Sequence, residues 1–188
     1  MTDRSALFRQ GAVDAILSPL DLIDLARRAP VHFMGIGGAG MSPLAELVLR
    51  SGGRVTGCDA LQSAATEALQ AAGAQVTVGH DPSHVEQCSA LVVTAAVAAD
   101  HPEIAAARRR GIPVLKRAEA LAAIVNRGQV IGIAGTHGKT TTTALTTAVL
   151  EAAGLDPTAL VGGRVPAWKG NLRRGADRLY VVEADEYD

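Results

Sequence analysis

Short apolar runs alternate along the chain with helix-spaced apolar residues, and most runs end on glycine or a polar turn. Val31-His32-Phe33-Met34-Gly35-Ile36 reads as a buried strand, a short apolar run bounded by turn residues. Met41, Leu44, Ala45, Leu47 and Val48 then recur at helical spacing over 40–51 and stop at Gly52-Gly53. The same reading predicts strands over 54–59, 75–78 and 90–94 and helices over 63–72 and 101–110. Val114-Leu115 begins a further short strand, and 119–125 form a helix. Polar, glycine-containing Asn126-Arg127-Gly128-Gln129 marks a domain boundary. A second rhythm follows: a strand over 130–134, a helix over 139–153, and strands over 158–161 and 179–182. Alternation at this pitch predicts an α/β fold of parallel βαβ units with right-handed crossovers. The expected division is an N-terminal helical segment over 1–30, a first domain over 31–126 and a second over 127–188. Ser18-Pro19-Leu20-Asp21 reads as the start of the first helix.

Charge narrows the partners. Lys plus Arg number 18 and Asp plus Glu 19, a net charge of −1. That balance argues against a nucleic-acid binder, whose footprint is an excess of basic residues. No apolar run approaches the roughly 20 residues that span a bilayer, so no membrane partner is expected. Met1 to Arg9 mix acid and base with no apolar stretch after them, unlike a signal peptide. Two cysteines, Cys58 and Cys88, are too few for a disulfide framework and fit a reducing cytosol. A cytoplasmic protein is expected. Aromatics are only 3%, so the core must be built from Ala, Val, Leu and Ile.

Two glycine loops carry the chemistry. Gly35-Ile36-Gly37-Gly38-Ala39-Gly40 matches G-x-G-x-x-G, after a strand and before a helix. Such glycines let backbone N–H groups approach a pyrophosphate at the positive end of the helix, as in a Rossmann-like domain. Asp59 ends the next strand, where a ribose-binding acid would sit. The loop does not distinguish NAD from another pyrophosphate-containing nucleotide, and a ligand-free glycine turn is the bland alternative. The second loop, Gly132 to Thr141, ends in Gly138-Lys139-Thr140, the close of a P-loop, with Ile133 where the strict pattern wants Gly. Successive N–H groups from Gly135 through Thr136, His137 and Gly138 to Thr140 would form an anion nest. Lys139 would reach the β/γ-phosphates and the Thr140 hydroxyl a Mg²⁺ ion. The strand over 179–182 delivers Glu183, Asp185 and Glu186 at its C-terminal end, where open parallel sheets bind ligands. A solvated acidic turn is the alternative there.

Other residues read as structure. His32 lies within a strand and suits a core position. Cys58 and Cys88 read as small buried fillers. His84 and His101 show no metal-ligand spacing with either cysteine. Trp168 and Lys169, before Asn171, fit a substrate loop or a plain surface loop equally.

Gly-Ile-Gly-Gly-Ala-Gly-Met (35–41), Gly-Thr-His-Gly-Lys-Thr-Thr (135–141) and Glu-Ala-Asp-Glu (183–186) together resemble the Mur ligases over 31–188. Gly79-His80-Asp81, Arg110-Gly111-Ile112-Pro113 and Gly162-Gly163 add to the likeness. The resemblance implies a Rossmann-like parallel-sheet domain for a UDP-sugar, followed by the beginning of a P-loop mononucleotide-binding domain. The UDP-sugar contacts would be Gly35, Gly37, Gly38, Ala39, Gly40 and Met41 on the diphosphate, with Asp59 and His80 toward ribose and uracil. ATP would lie on Gly135, Thr136, His137, Gly138, Lys139, Thr140 and Thr141, with Mg²⁺ on Thr140 and Glu183. Lys139 and Glu183 are the expected catalytic pair. The first motif points to the family member that joins L-alanine to the lactyl carboxylate of UDP-N-acetylmuramate through an acyl phosphate, in peptidoglycan precursor synthesis. The runner-up is the murein-tripeptide ligase of cell-wall recycling, which usually carries Cys where Gly37-Gly38 stand. A non-catalytic UDP-sugar-binding module is the alternative of a different class. By the family pattern the chain reads as a fragment inactive alone, with 130–188 leaving sheet edges and apolar faces uncovered.

Overall fold

The computed structural model describes residues 20–94 and 96–184. Asp21 caps the first helix, α1 (Leu22–Arg28), by accepting from Asp24 N–H at 3.0 Å. The expected start at Ser18-Pro19 lies largely outside the described residues. α1 is no appendage: Leu22, Ile23 and Ala26 are fully buried in the first core.

The first sheet is parallel, ordered β3-β2-β1-β4-β5. Its strands are β1 (Val31–Met34), β2 (Val55–Asp59), β3 (Gln75–Val78), β4 (Ala90–Val93) and β5 (Val114–Lys116). Helices α2 (Met41–Arg50), α3 (Ala64–Ala71) and α4 (Pro102–Arg109) make the crossovers, and α5 (Arg117–Val125) leads on from β5. Only a 3₁₀ turn over Pro82–Val85 links β3 to β4. β1 and β4 are buried at every position, which is why both read as unbroken apolar runs. Alternate residues divide between two cores. Val31 and Phe33 pack with Leu44, Leu47 and Ile124, while Met34 faces Cys58, Leu91 and Ile104. Neighbouring strands run to either side of β1, which puts a switch in chain direction at the C-terminal end of β1, beside the first glycine loop.

The second sheet is ordered β6-β9-β7-β8. β6 (Gln129–Ile133), β7 (Thr158–Val165) and β9 (Leu179–Glu183) are parallel, with helix α6 (Lys139–Ala152) between the first two. β8 (Gly170–Arg173) runs antiparallel to β7, and β7 extends to Val165. Neither feature is in the sequence pattern, because Gly162-Gly163 and Gly170 interrupt the apolar run. As expected, this unit leaves apolar surface open. Val130 on edge strand β6 and Leu145 and Val149 on α6 are exposed. Among the described residues no helix is long and apolar enough to cross a membrane.

Candidate nucleotide sites at the strand ends

Gly35 leaves β1 with φ +70°, a left-handed turn that favours glycine. Gly35 and Ile36 N–H both donate to Cys58 O, at 2.8 and 3.1 Å. The loop is thereby fastened to the end of β2. Gly37 N–H donates to Asp59 Oδ2 at 2.8 Å. A Cβ on Gly37 would stand 3.0 Å from Asp59 Oδ2, Ser63 Oγ and Thr66 Cγ2, so the close approach requires glycine. Ser63 and Thr66 are themselves fixed by a reciprocal cap at the start of α3. Gly38 and Ala39 are exposed, and Gly40 begins α2. Met41 is buried, and its N–H is taken by Gly38 O at 3.0 Å. It supports the loop from below. His80 sits one residue after Gly79, whose N–H donates to Asp59 O at 2.8 Å. Its imidazole is half-exposed, with Nδ1 3.2 Å from Cys58 Sγ.

Gly135 (φ +143°) and Gly138 (φ +77°) give the second loop its turns, and Gly138 caps α6. Gly135, Thr136, His137 and Gly138 are all exposed, as is Thr141. Lys139 Nζ donates to Gly135 O at 2.8 Å, folding over the loop. The register of β6 with β9 sets Ile133 opposite Glu183, which brings that carboxylate beside the loop. Thr140 Oγ1 donates to Glu183, 3.0 Å from Oε2 and 3.2 Å from Oε1. Gly162 N–H donates to Glu183 Oε2 at 2.7 Å and fixes its orientation. A hydroxyl and a carboxylate so close supply hard oxygen donors suited to Mg²⁺. Asp185 and Glu186 lie outside the described residues.

The first loop faces the β7–β8 end of the second sheet. A cleft of about 730 Å³ runs between Gly37, Ala39 and Ser42 on one wall and Gly163, Arg164, Lys169 and Asn171 on the other. Asn171 Nδ2 donates to Ala39 O at 2.8 Å across it. A smaller cavity brings Gly40 of the first loop and Glu183, at the end of β9 beside the second loop, onto one lining, with Arg117 and Gly162.

Residues 30–129 match the model of the Mur ligase family, catalytic domain. The chain belongs to the Mur ligase family. A UDP-N-acetylmuramate--L-alanine ligase of Burkholderia pseudomallei (strain 668) is 50% identical over 158 residues, 84% of this chain and 34% of that protein. The UDP-N-acetylmuramate-alanine ligase structure from Thermotoga maritima superposes with TM-score 0.74 at 31% identity, over 82% of this chain and 37% of that one. The UDP-N-acetylmuramate:L-alanyl-gamma-D-glutamyl-meso-diaminopimelate ligase of Neisseria meningitides gives 0.76 at 31%, over 85% and 53%. The chain thus spans about a third of the length of the curated relative it matches.

Within this Mur ligase chain, sequence reading missed Arg117 and the roles of Gly162 and Asn171. Arg117 opens α5, and its Cδ would lie 2.9 Å from a Cβ on Gly40. Nothing local marks an arginine at a helix start as facing a loop 77 residues earlier. One reading is corrected in part. Cys88 is only part-buried, whereas Cys58 is buried as expected and packs in the second core, with its Sγ also facing the polar groups of His32, His84 and Glu103. His84, without metal spacing in sequence, is brought to Cys58 by the 3₁₀ turn after β3.

Proposed function

We propose that this chain is the UDP-sugar-binding and ATP-loop portion of an ATP-dependent ligase joining L-alanine to the lactyl carboxylate of UDP-N-acetylmuramate. The observation that carries the reading is the shared cavity: Gly40, at the end of the first phosphate loop, and Glu183, beside the second, line it together. A diphosphate held at the start of α2 would direct its sugar carboxylate toward the γ-phosphate of ATP held at the start of α6. The loop from Gly37 to Gly40 would cradle the diphosphate through the N–H groups of Ala39 and Gly40, with Asp59 toward the ribose and His80 toward the base. On ATP binding, Lys139 would exchange Gly135 O for the β/γ-phosphates. Thr140 and Glu183 would hold Mg²⁺, which when bound offsets negative charge on the transferring phosphoryl group. Attack by the carboxylate on the γ-phosphate would expel ADP and give an acyl phosphate, which the amine of L-alanine opens to the amide with release of phosphate and a proton. Alignment of the reactants and charge neutralisation supply most of the rate. The tripeptide-adding reading has its own support in the Neisseria neighbour; the 50% identity to an alanine-adding relative favours the first. The test is ATP consumption by the full-length protein. The expected result is turnover only with UDP-N-acetylmuramate and L-alanine together. Turnover with the tripeptide in place of alanine would transfer the assignment to recycling, and turnover with neither would overturn both.

A further inference from the structure

The face of the first sheet that carries α4 gathers four donor groups of three chemical kinds, three of them buried. His32 from β1, Cys58 from β2, His84 from the 3₁₀ turn and Glu103 from α4 offer donor atoms that all lie within 4.8 Å of one another. Glu103 and Cys58 are fully buried and His32 is 2% exposed. A carboxylate so placed is costly unless it is paired. Glu103 Oε1 accepts from Asp81 N–H at 2.8 Å, and its other contacts within 4 Å are imidazoles and the Cys58 thiol.

The spacing fits one ion. His32 Nε2 lies 3.4 Å from Cys58 Sγ and 3.7 Å from Glu103 Oε2. His84 Nδ1 lies 3.2 Å from Glu103 Oε1, and Cys58 Sγ lies 3.6 Å from Glu103 Oε2. A tetrahedron with bonds of about 2.0 Å to N or O and about 2.3 Å to S has edges of roughly 3.3 to 3.6 Å. The far nitrogens of both rings are held as well. His32 Nδ1 is 2.9 Å from Thr56 Oγ1, and His84 Nε2 is 3.3 Å from Thr77 Oγ1. Such outer partners fix the tautomer and aim of a ligating imidazole.

We propose that His32, Cys58, His84 and Glu103 form a closed structural site for a divalent transition-metal ion, zinc above all. Two imidazoles, a thiolate and a carboxylate are a zinc donor set, and four protein donors leave no open position for catalysis. The ion would tie α4 and the 3₁₀ turn to the sheet. It would also steady Gly79 and His80, next to Asp59 and the first loop.

The test is metal uptake by the chain, stripped with chelator and titrated with Co²⁺ alone and Zn²⁺ alone. One equivalent of Co²⁺ is expected to bind with a thiolate-to-cobalt charge-transfer band and tetrahedral visible bands, and Zn²⁺ to displace it. Zn²⁺ should raise the melting temperature by about 5 °C or more, since it binds the native state alone. Cys58→Ser should abolish the charge-transfer band and weaken Co²⁺ by more than about 100-fold, beyond the roughly 10- to 100-fold scale of outer-partner losses. Cys88→Ser, at a thiol outside the four, should keep the band. Uptake below one equivalent, absence of the band in the wild-type chain, or a band that survives Cys58→Ser would overturn the proposal. The wild-type titration decides alone if Cys58→Ser does not fold.

Discussion

Asp59 does two things that a pair of substitutions separates. Its Oδ2 accepts from Gly37 N–H at 2.8 Å, holding the first loop against the end of β2. A hydrogen bond to a charged acceptor contributes about 1.5 to 3 kcal/mol when buried. This one is only part-buried, so solvent screening reduces it to about 1 kcal/mol. Asp59→Ala removes the acceptor and leaves Gly37 N–H without it. For a chain of this size the melting temperature should fall by about 2 to 4 °C. Asp59→Asn keeps an amide oxygen for Gly37 and should stay within about 1 °C of wild type. Both lose the carboxylate proposed to face the ribose, so both should bind a uridine diphosphate sugar about 10-fold more weakly, near 1.4 kcal/mol. Scanning calorimetry reads the first effect and titration calorimetry the second. The reasoning fails if Asp59→Ala melts with wild type, or if Asp59→Asn binds the nucleotide as tightly as wild type.

Three further outcomes follow from the same geometry. Glu183→Ala removes the acceptor shared by Thr140 and Gly162 and should lower turnover of the full-length protein at least about 100-fold, the scale of losing one preorganised charge contact; steady-state ATP hydrolysis checks it. Phe33→Ala, at a fully buried centre of the first sheet, should cost about 3 to 5 kcal/mol in urea unfolding, a large share of a domain's total. Asn171→Ala breaks the exposed bond to Ala39 O, worth under about 1 kcal/mol, so hydrogen exchange at 39–40 should quicken while the melting temperature moves by less than about 2 °C.

Strands buried on both faces were the most legible part of the fold. β1 and β4 announce themselves as apolar runs because helices cover each side, and the first glycine loop follows directly from the end of β1. β8 was not legible: a four-residue strand of Gly170, Asn171, Leu172 and Arg173 has one buried side chain and no alternation to read. In the candidate sites, residues carried by a local motif were found, Thr140 and Asp59 among them. Glu183 was found because strand ends are where parallel sheets deliver acids. Arg117, Asn171 and the partners of Cys58 were not, since each acts on a residue distant in sequence. Glu103 sits 45 residues from Cys58, and nothing in a helix first turn of Pro-Glu-Ile announces a buried carboxylate.

The central claim is that the first loop serves a uridine diphosphate sugar and not a dinucleotide, although both fit G-x-G-x-x-G with a following acid. Titration calorimetry of the chain with UDP-N-acetylmuramate and with NAD tests it most directly. The account predicts binding of the UDP-sugar at least about 10-fold tighter than NAD, a difference of 1.4 kcal/mol or more. Tighter binding of NAD would contradict it.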